Sequence, residues 1–492
     1  MPTIQLPFLK TVRSKYQRYG LHVLGFRHFS EGRDGMTPVQ RRSVWTLGHE
    51  LRALDKDHMV STARAAGEIL GKYHPHEDSS IVGAMTGLSQ AKSPAPLILG
   101  IGNWGSWEDK PAAKRYTSCC LTKYAATMFD SDELEQVPFD DSFDGTNRMP
   151  RYLPARLPHL LLHGSSSFAP GAKGDIPPCQ PSWVVDAMSS ILAGKPVASP
   201  KQFAYRWGGK LVSLDDTWIN DGSGSGVFRP TIRLGDNPKA IVITSLAPQL
   251  NIDSLITYLE KKVESFGGVL SEPSPDDLVS ISILLRKGHD FNALKSEVAK
   301  RIRSRVDFTF LYIDQFDDGA GGEVDFRPCV KGPLVFLKEW ISWRRTVVAG
   351  AATYRIGKLR ADTLRQQLMI KVIEHRKALL DALDQHKDDA DLRRRVRGIL
   401  KCSDEDANIV LEIRFRKLAK LEVVGLREKI AANAIMIKDN AAIVKSPDAR
   451  LMGDAGLALK ALADTHAEAA ELKRIQKTTK HVVKKRKKRY TL

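Results

Sequence analysis

The sequence contains no apolar run near the 18 or so residues that a membrane-crossing helix requires. Its first residues, MPTIQLPFLKTVRSK, lack the charged-then-apolar order of a secretory signal. Cysteine is scarce: five in 492 residues, an odd number, with no CxxC. That excludes a disulfide framework and a zinc-ribbon spacing, and it fits a reducing cytoplasm. No GxxxxGK[ST] occurs, so no ATP-binding phosphate loop is expected in this chain. No internal repeat is found, and the one low-complexity segment is a basic tail.

What remains is an ordinary globular composition, 42% hydrophobic and 27% charged. The length predicts two to four domains. Net charge is +18, and half of it lies in residues 471–492, which hold ten Lys/Arg against one acid. The tail, KKRKKRY, reads as a solvated end. The remaining basic excess is spread over the body and suits a polyanion such as nucleic acid. A basic protein of the membrane surface would carry one basic amphipathic helix, and none is evident.

Along the chain, Tyr16, Tyr19 and Leu24 are spaced as a docking arm, and Arg27 follows. Pro38 starts a helix over VQRRSVWTLGHELRAL, with Val44, Leu47, Leu51 and Leu54 on one face and Arg41 and Arg42 off it. Ser61 caps a second helix, STARAAGEILGKY, which Pro75 ends. Asp78 or Ser79 caps a third, SSIVGAMTGLSQ. Three short helices and then the extended PLILGIG spell a helix-turn-helix with a wing, whose third helix enters the major groove. Residues 130–200 read as turns and short strands. Residues 205–330 mix strands (GVFRPTIRL, AIVITSL, LVSISILL) with two amphipathic helices, an α/β domain. A long helix is expected over 335–384, then an apolar island, DEDANIVLEIRFRKLAKLEVVGL, and a returning helix near 448–480. Such arms with an apolar tip suggest a dimer clasp.

The chemistry centres on residues 100–121. Gly100, Gly102 and Gly105 punctuate a loop, and Arg115-Tyr116 then opens a helix-like run. The glycines resemble a phosphate cradle, a weak signal alone. A phenol titrates near pH 10, so it needs a nearby cation to favour phenolate and a base to take its proton. Arg115 is adjacent, and Arg27 and His76 are candidates to converge on it. Guanidinium groups fork onto phosphate and offset the charge of a five-coordinate transition state. Of 11 tyrosines most are packing residues, and the loop context is what singles out Tyr116. His74 and His76 have no evident third partner for a metal, so none is assigned. Phe168, in GSSSFAPG, reads either as core or as a wedge between base steps.

The stretches RDGMTPVQRR, GKYHPHEDSS, GIGNWGS, KRYTSCCL, FDGT and HGSSSFAPGAKGDIPP, in this order, resemble successive motifs of the type IIA topoisomerase cleavage subunit. That is the A subunit of bacterial DNA gyrase and topoisomerase IV. APQLNIDSL, FLKEWISWRRTVV and LEIRFRKLAKLEV are similar to its later segments, so the likeness runs from about 15 to 485. The compact format resembles the separate cleavage subunit of phage topoisomerases. The resemblance implies a multidomain α/β architecture. An N-terminal arm (1–24) would precede a winged-helix DNA-gate domain (25–140) and an α/β tower or shoulder (141–334). Long antiparallel coiled-coil arms (335–480) would carry a helical exit gate at about 385–447, before the basic tail (481–492).

The resemblance further implies that Tyr116 forms a transient 5′-phosphotyrosyl bond, with Arg115 and Arg27 on the scissile phosphate and His76 close by. Arg41, Arg42, Lys72, His74 and Ser79 would contact DNA. Phe168 falls where the family usually has an intercalating isoleucine. Magnesium and ATP would be held by a partner subunit carrying Toprim and ATPase domains, in a heterotetramer built on a homodimer of this chain, in the nucleoid-bearing cytoplasm. Glu77 stands where the family normally has glycine. Gly83 replaces an acidic residue that helps anchor fluoroquinolones, which predicts weakened poisoning. Without a C-terminal wrapping domain, relaxation and decatenation are expected rather than negative supercoiling. Two other readings are a non-catalytic architectural dimer of the same fold and a site-specific tyrosine recombinase, which would join the 3′ rather than the 5′ end.

Overall fold

The computed structural model describes residues 8–489, apart from 24–26, 90–93, 106–109, 170, 206–207, 235–239, 249, 251, 267–268, 272–280, 285–289, 317–324 and 413–422. Side chains beyond 472, and with them the basic tail, are outside the description. The chain is a mixed helix and strand protein with a long helical segment. It divides into two compact units, Met1–Arg344 with Leu451–Leu492, and Arg345–Arg450.

In the first unit, helix α1 (Phe8–Val23) leaves Phe8, Leu9, Tyr16 and Tyr19 exposed, while Leu24 of the expected arm lies outside the described residues. Helix α2 (Pro38–Trp45) starts with proline at its first position. Thr37 and Gln40 form a capping box in which the Thr37 N–H donates to Gln40 Oε1 at 2.9 Å. It is shorter than the apolar spacing predicts. The chain widens into a π turn at Thr46–Glu50 and then takes a positive φ of 51° at Arg52, so Leu51 and Leu54 cover the core from a loop. Helix α3 (Thr62–Lys72) has the predicted cap, with Ser61 Oγ accepting from the Arg64 N–H at 3.2 Å. Helix α4 (Asp78–Leu88) does not: Glu77 occupies its cap position with no side-chain bond, and Asp78 and Ser79 lie inside the first turn.

Ile69, Ile81, Met85 and Leu88 bury the inner faces of α3 and α4 against a small antiparallel sheet. Its strands are β1 (Val60–Ser61), β2 (Ile98–Ile101) and β3 (Ser118–Leu121), with β3 in the centre: Val60 and Gly100 both pair with Cys119. The expected helix-like run after Arg115-Tyr116 is thus a strand. Adjacent Cys119 and Cys120 are β-compatible and fully buried on opposite sides.

A five-stranded sheet follows, in which the hairpin Ser165–Ala169/Ala172–Ile176 leads through Ser304–Thr309 and Ser223–Arg229 to Lys210–Leu214. A four-stranded sheet includes Ala240–Ile243 and Ile281–Leu284, and the helices Ile252–Phe266 and Phe291–Arg301 share its apolar core. The helix Pro181–Leu192 was not expected among the turns of 130–200. Its signal was there: proline at the first position and Val184, Ala187 and Met188 on one buried face. Within the same unit, Arg344 is fully buried and forks onto Glu133, with both contacts at 2.8 Å, and also reaches Asp454 at 3.4 Å.

The expected helix over 335–384, most of which belongs to the second unit, is interrupted. Pro333–Glu374 ends before His375, and Arg376–Asp384 resumes beyond it. Leu368, Val372, Leu379, Leu392, Val396, Leu400 and Ala407 form this unit's own core. Asn433, on the helix Val423–Lys445, donates at 3.1 Å to both Asp362 and Thr363. Of the expected apolar island (404–426), Asp404–Leu411 is a helix and residues 413–422 lie outside the described residues. The returning helix runs over Asp448–Arg489.

Candidate active site

Tyr116 closes a tight 3₁₀ turn, Lys114–Tyr116, on the approach to β3. Its N–H donates to Ala113 O at 2.9 Å, and its ring is 67% exposed. A phenol in such a position is presented rather than packed. The Arg115 guanidinium lies 4.6 Å over the ring centroid, a cation on the π face. Behind the turn, Thr117 Oγ1 donates to Thr62 Oγ1 at 2.8 Å and the Thr62 N–H donates to Thr117 O at 3.0 Å, which ties the turn to the start of α3.

Two glycines of the loop are required by close packing. Gly102 has φ of 101°, and a Cβ there would meet Tyr116 O at 2.9 Å. Gly100 has no room for a Cβ beside the Trp104 indole, whose Nε1 donates to Ile101 O at 3.3 Å.

Beyond the end of α3 at Lys72, His74 and His76 flank Pro75 and stack with ring centroids 4.5 Å apart. His74 is buried and its Nδ1 accepts from Arg42 Nη1 at 2.7 Å. Burial first, then the charges of Arg42, His76 and Arg27, lower the imidazole to about 4. Arg27 and His76 are exposed around this buried pair, so Arg27, Arg42, His74 and His76 form one group. Burial and neighbouring Arg41 lower Arg42 to about 10, which leaves it charged at neutral pH.

The structure corrects the expectation for Arg41. It is buried, its Nη2 donates to Asp34 Oδ1 at 2.9 Å and to Met36 O at 3.0 Å, and Asp34 Oδ2 also accepts from the Leu153 N–H. It joins α2 to a neighbouring loop and has no face to offer DNA. Lys72 is half-exposed and held by two carboxylates, Glu50 and Glu68, each at 2.6 Å. Ser79 is exposed on the first turn of α4.

Two residues not singled out from the sequence join these groups. Asp78, two positions after His76, accepts from the Lys114 ammonium, two positions before Tyr116. Only their charges signalled it, since 36 residues separate them.

Phe168 is 74% exposed near the tip of its hairpin, paired across it with Lys173. That excludes the core reading. Beside the hairpin is a cavity of about 450 Å³ whose lining includes His28, Gln40, Ser165, Ser166, Ser167 and Asp175. Among the described residues no group of three or more His, Cys, Asp or Glu side chains could hold a metal ion.

The family of DNA gyrase/topoisomerase IV A subunits matches this chain over residues 27–452. The A subunit of DNA topoisomerase 4 from Haemophilus influenzae is 30% identical over 444 residues, covering 85% of this chain and 57% of the relative. The A subunit of DNA gyrase from Leptospira biflexa is 25% identical over 455 residues, covering 89% and 53%. The chloroplastic/mitochondrial DNA gyrase A subunit of Nicotiana benthamiana is 28% identical over 433 residues, covering 84% and 45%. The chain spans about half the length of the curated relatives it matches.

Proposed function

Because the chain belongs to the family of DNA gyrase/topoisomerase IV A subunits, we propose that it is the strand-cutting and religating subunit of a type IIA topoisomerase, with Tyr116 as nucleophile. The observation that carries this reading is the phenol itself, 67% exposed on a braced turn with a guanidinium on its face.

Double-stranded DNA is the substrate. The Tyr116 oxygen attacks a backbone phosphorus, and the bond from phosphorus to the 3′ oxygen breaks. The phenolic proton leaves to a base and the departing oxygen takes one up. One ester replaces another, so the returning 3′ hydroxyl can reseal the strand without new energy. Arg115 and Arg27 fork onto the phosphate and offset its developing charge, with His76 beside them. Arg42, Lys72, His74 and Ser79 line the path of the backbone, and Phe168 wedges between base steps to bend the duplex.

Helices α2–α4 and their sheet serve as a winged-helix DNA gate (25–140) behind an N-terminal arm (1–24). Residues 141–334 serve as the tower. Residues 335–480 form coiled-coil arms with an exit gate near 385–447, and 481–492 a basic tail. The chain works as a homodimer within a heterotetramer. Among the described residues no cluster of three or more His, Cys, Asp or Glu side chains offers a magnesium site. We assign the ion, with ATP, to a partner subunit carrying Toprim and ATPase domains, whose ATP use drives strand passage. Among the described residues no helix is long and apolar enough to cross a membrane, and the cytoplasmic nucleoid is the proposed location.

The test is a cleavage assay with plasmid, magnesium and the cognate partner, stopped with denaturant. Wild type should leave linear DNA with protein on its 5′ ends. Tyr116→Phe should leave none and still bind duplex. Adducts that persist in this variant, or a 3′ linkage, would sink the assignment. A wild type that binds tightly and never forms an adduct would favour the architectural dimer.

A further inference from the structure

Two elements meet beside the proposed nucleophile. Helix α4 begins at Asp78, and Lys114 opens the turn that ends at Tyr116. The Lys114 ammonium donates to Asp78 Oδ2, while Asp78 Oδ1 is buried without a hydrogen-bond partner. Lys114 is therefore the partner of this carboxylate side chain among the described residues. On the other side, the turn is held by Thr117 to Thr62 of α3 and by Gly102 beneath the Tyr116 carbonyl. Arg115 and Tyr116 themselves are exposed and stack on each other, so neither side chain anchors the turn.

The side chains of Lys114 and Asp78 are 38% and 44% exposed. A pair this open to solvent adds little to folding. Its consequence falls on geometry: it is the side-chain tie between the turn that aims the phenol and the helix whose first turn carries Ser79. The same tie occupies a lysine that would otherwise be free to swing onto phosphate two residues from the reacting oxygen.

We infer that Asp78 and Lys114 are a positioning pair that sets the reach of Tyr116 relative to α4, a role that rests on the cleavage reading above. A reacting atom misplaced by about 1 Å costs on the order of 100-fold in rate. A turn that is loosened rather than moved should lose about tenfold.

The experiment uses the full chain with its cognate partner, magnesium and a duplex oligonucleotide. Single-turnover formation of the covalent adduct is followed at saturating DNA, with duplex affinity and melting temperature measured alongside. Asp78→Asn and Lys114→Gln should each slow adduct formation about tenfold with unchanged melting temperatures. The double variant should be no slower than either single one, because both remove one tie. Lys114→Arg should restore the rate. Asp78→Asn at the wild-type rate would overturn the inference, since Lys114 would then act on DNA alone. Fully additive losses would overturn it too. Wild type that forms no adduct would sink the cleavage reading and this inference together, whereas a normal wild type beside unaffected variants sinks the inference alone.

Discussion

Arg42 donates from Nη1 to Nδ1 of His74 at 2.7 Å. A guanidinium has no lone pair to offer, so the bond fixes the tautomer: Nδ1 accepts and the neutral ring carries its proton on Nε2. Burial, then Arg42, His76 and Arg27, keep the ring neutral down to about pH 4. His74 thus spends one nitrogen on orienting Arg42 and keeps an N–H for a further acceptor.

This gives a pH dependence with a definite sign. The ring titrates at about 4 in the folded chain, against an ordinary value of 6.5. Between the two, the unfolded chain binds more protons, so stability falls as pH drops from 6.5 towards 4 and is insensitive to this group above 6.5. The melting temperature of wild type should fall more steeply across that window than that of His74→Asn, which keeps an acceptor for Arg42 and cannot titrate. His74→Ala should cost about 1–3 kcal/mol at neutral pH by leaving the guanidinium without its acceptor. Parallel melting curves for wild type and His74→Asn would refute the account.

Arg344 supports a stability prediction away from DNA. Its two 2.8 Å contacts to Glu133 are buried on both sides. Arg344→Met would leave Glu133 leaning on Arg156 at 3.5 Å and should cost about 3–5 kcal/mol in urea unfolding. The desolvated carboxylates, not the lost attraction, account for most of that loss. A measured cost below about 1 kcal/mol would mean that water reaches the cluster.

Much of this was legible in the chain. Ser61 as a cap and the β-branched apolar run in AIVITSL were local signals, and the structure has the helix and strand they predict. Arg41 was misread because adjacent arginines look alike in sequence, while the helix turns one towards Asp34 and the other towards His74. The helix-like run after Tyr116 was misread because a 3₁₀ turn and a two-cysteine strand leave no periodicity to count. Asp78–Lys114 left only two opposite charges as a signal, since nothing local records a pairing across 36 residues.

The two basic residues Arg27 and Lys72 should separate in salt titrations of duplex binding. Arg27 is exposed, whereas the Lys72 ammonium already sits 2.6 Å from both Glu50 and Glu68. A cation neutralised by carboxylates displaces few counterions from DNA. Arg27→Ala should lower the slope of log affinity against log salt by about one, and Lys72→Met by clearly less. Fluorescence anisotropy over a salt series reads this directly, and equal slopes for the two variants would show that Lys72 leaves its carboxylates for phosphate.

Phe168 offers the sharpest division between folding and function. Its ring is 74% exposed on a hairpin whose strands pair from Ser165↔Ile176 to Ala169↔Ala172. Removing an exposed ring from a formed hairpin should change stability by no more than about 0.5 kcal/mol. If the ring wedges between base steps, its loss removes the contact that offsets unstacking, worth a few kcal/mol per step. Phe168→Ala should therefore melt like wild type, bind duplex more weakly, and bend it less in an energy-transfer assay with dyes at the two DNA ends. Phe168→Leu should retain most of the bend, because an apolar wedge of similar reach remains. A Phe168→Ala protein that bends DNA as wild type does would remove the wedge role, and a melting temperature several degrees lower would return Phe168 to the packing residues.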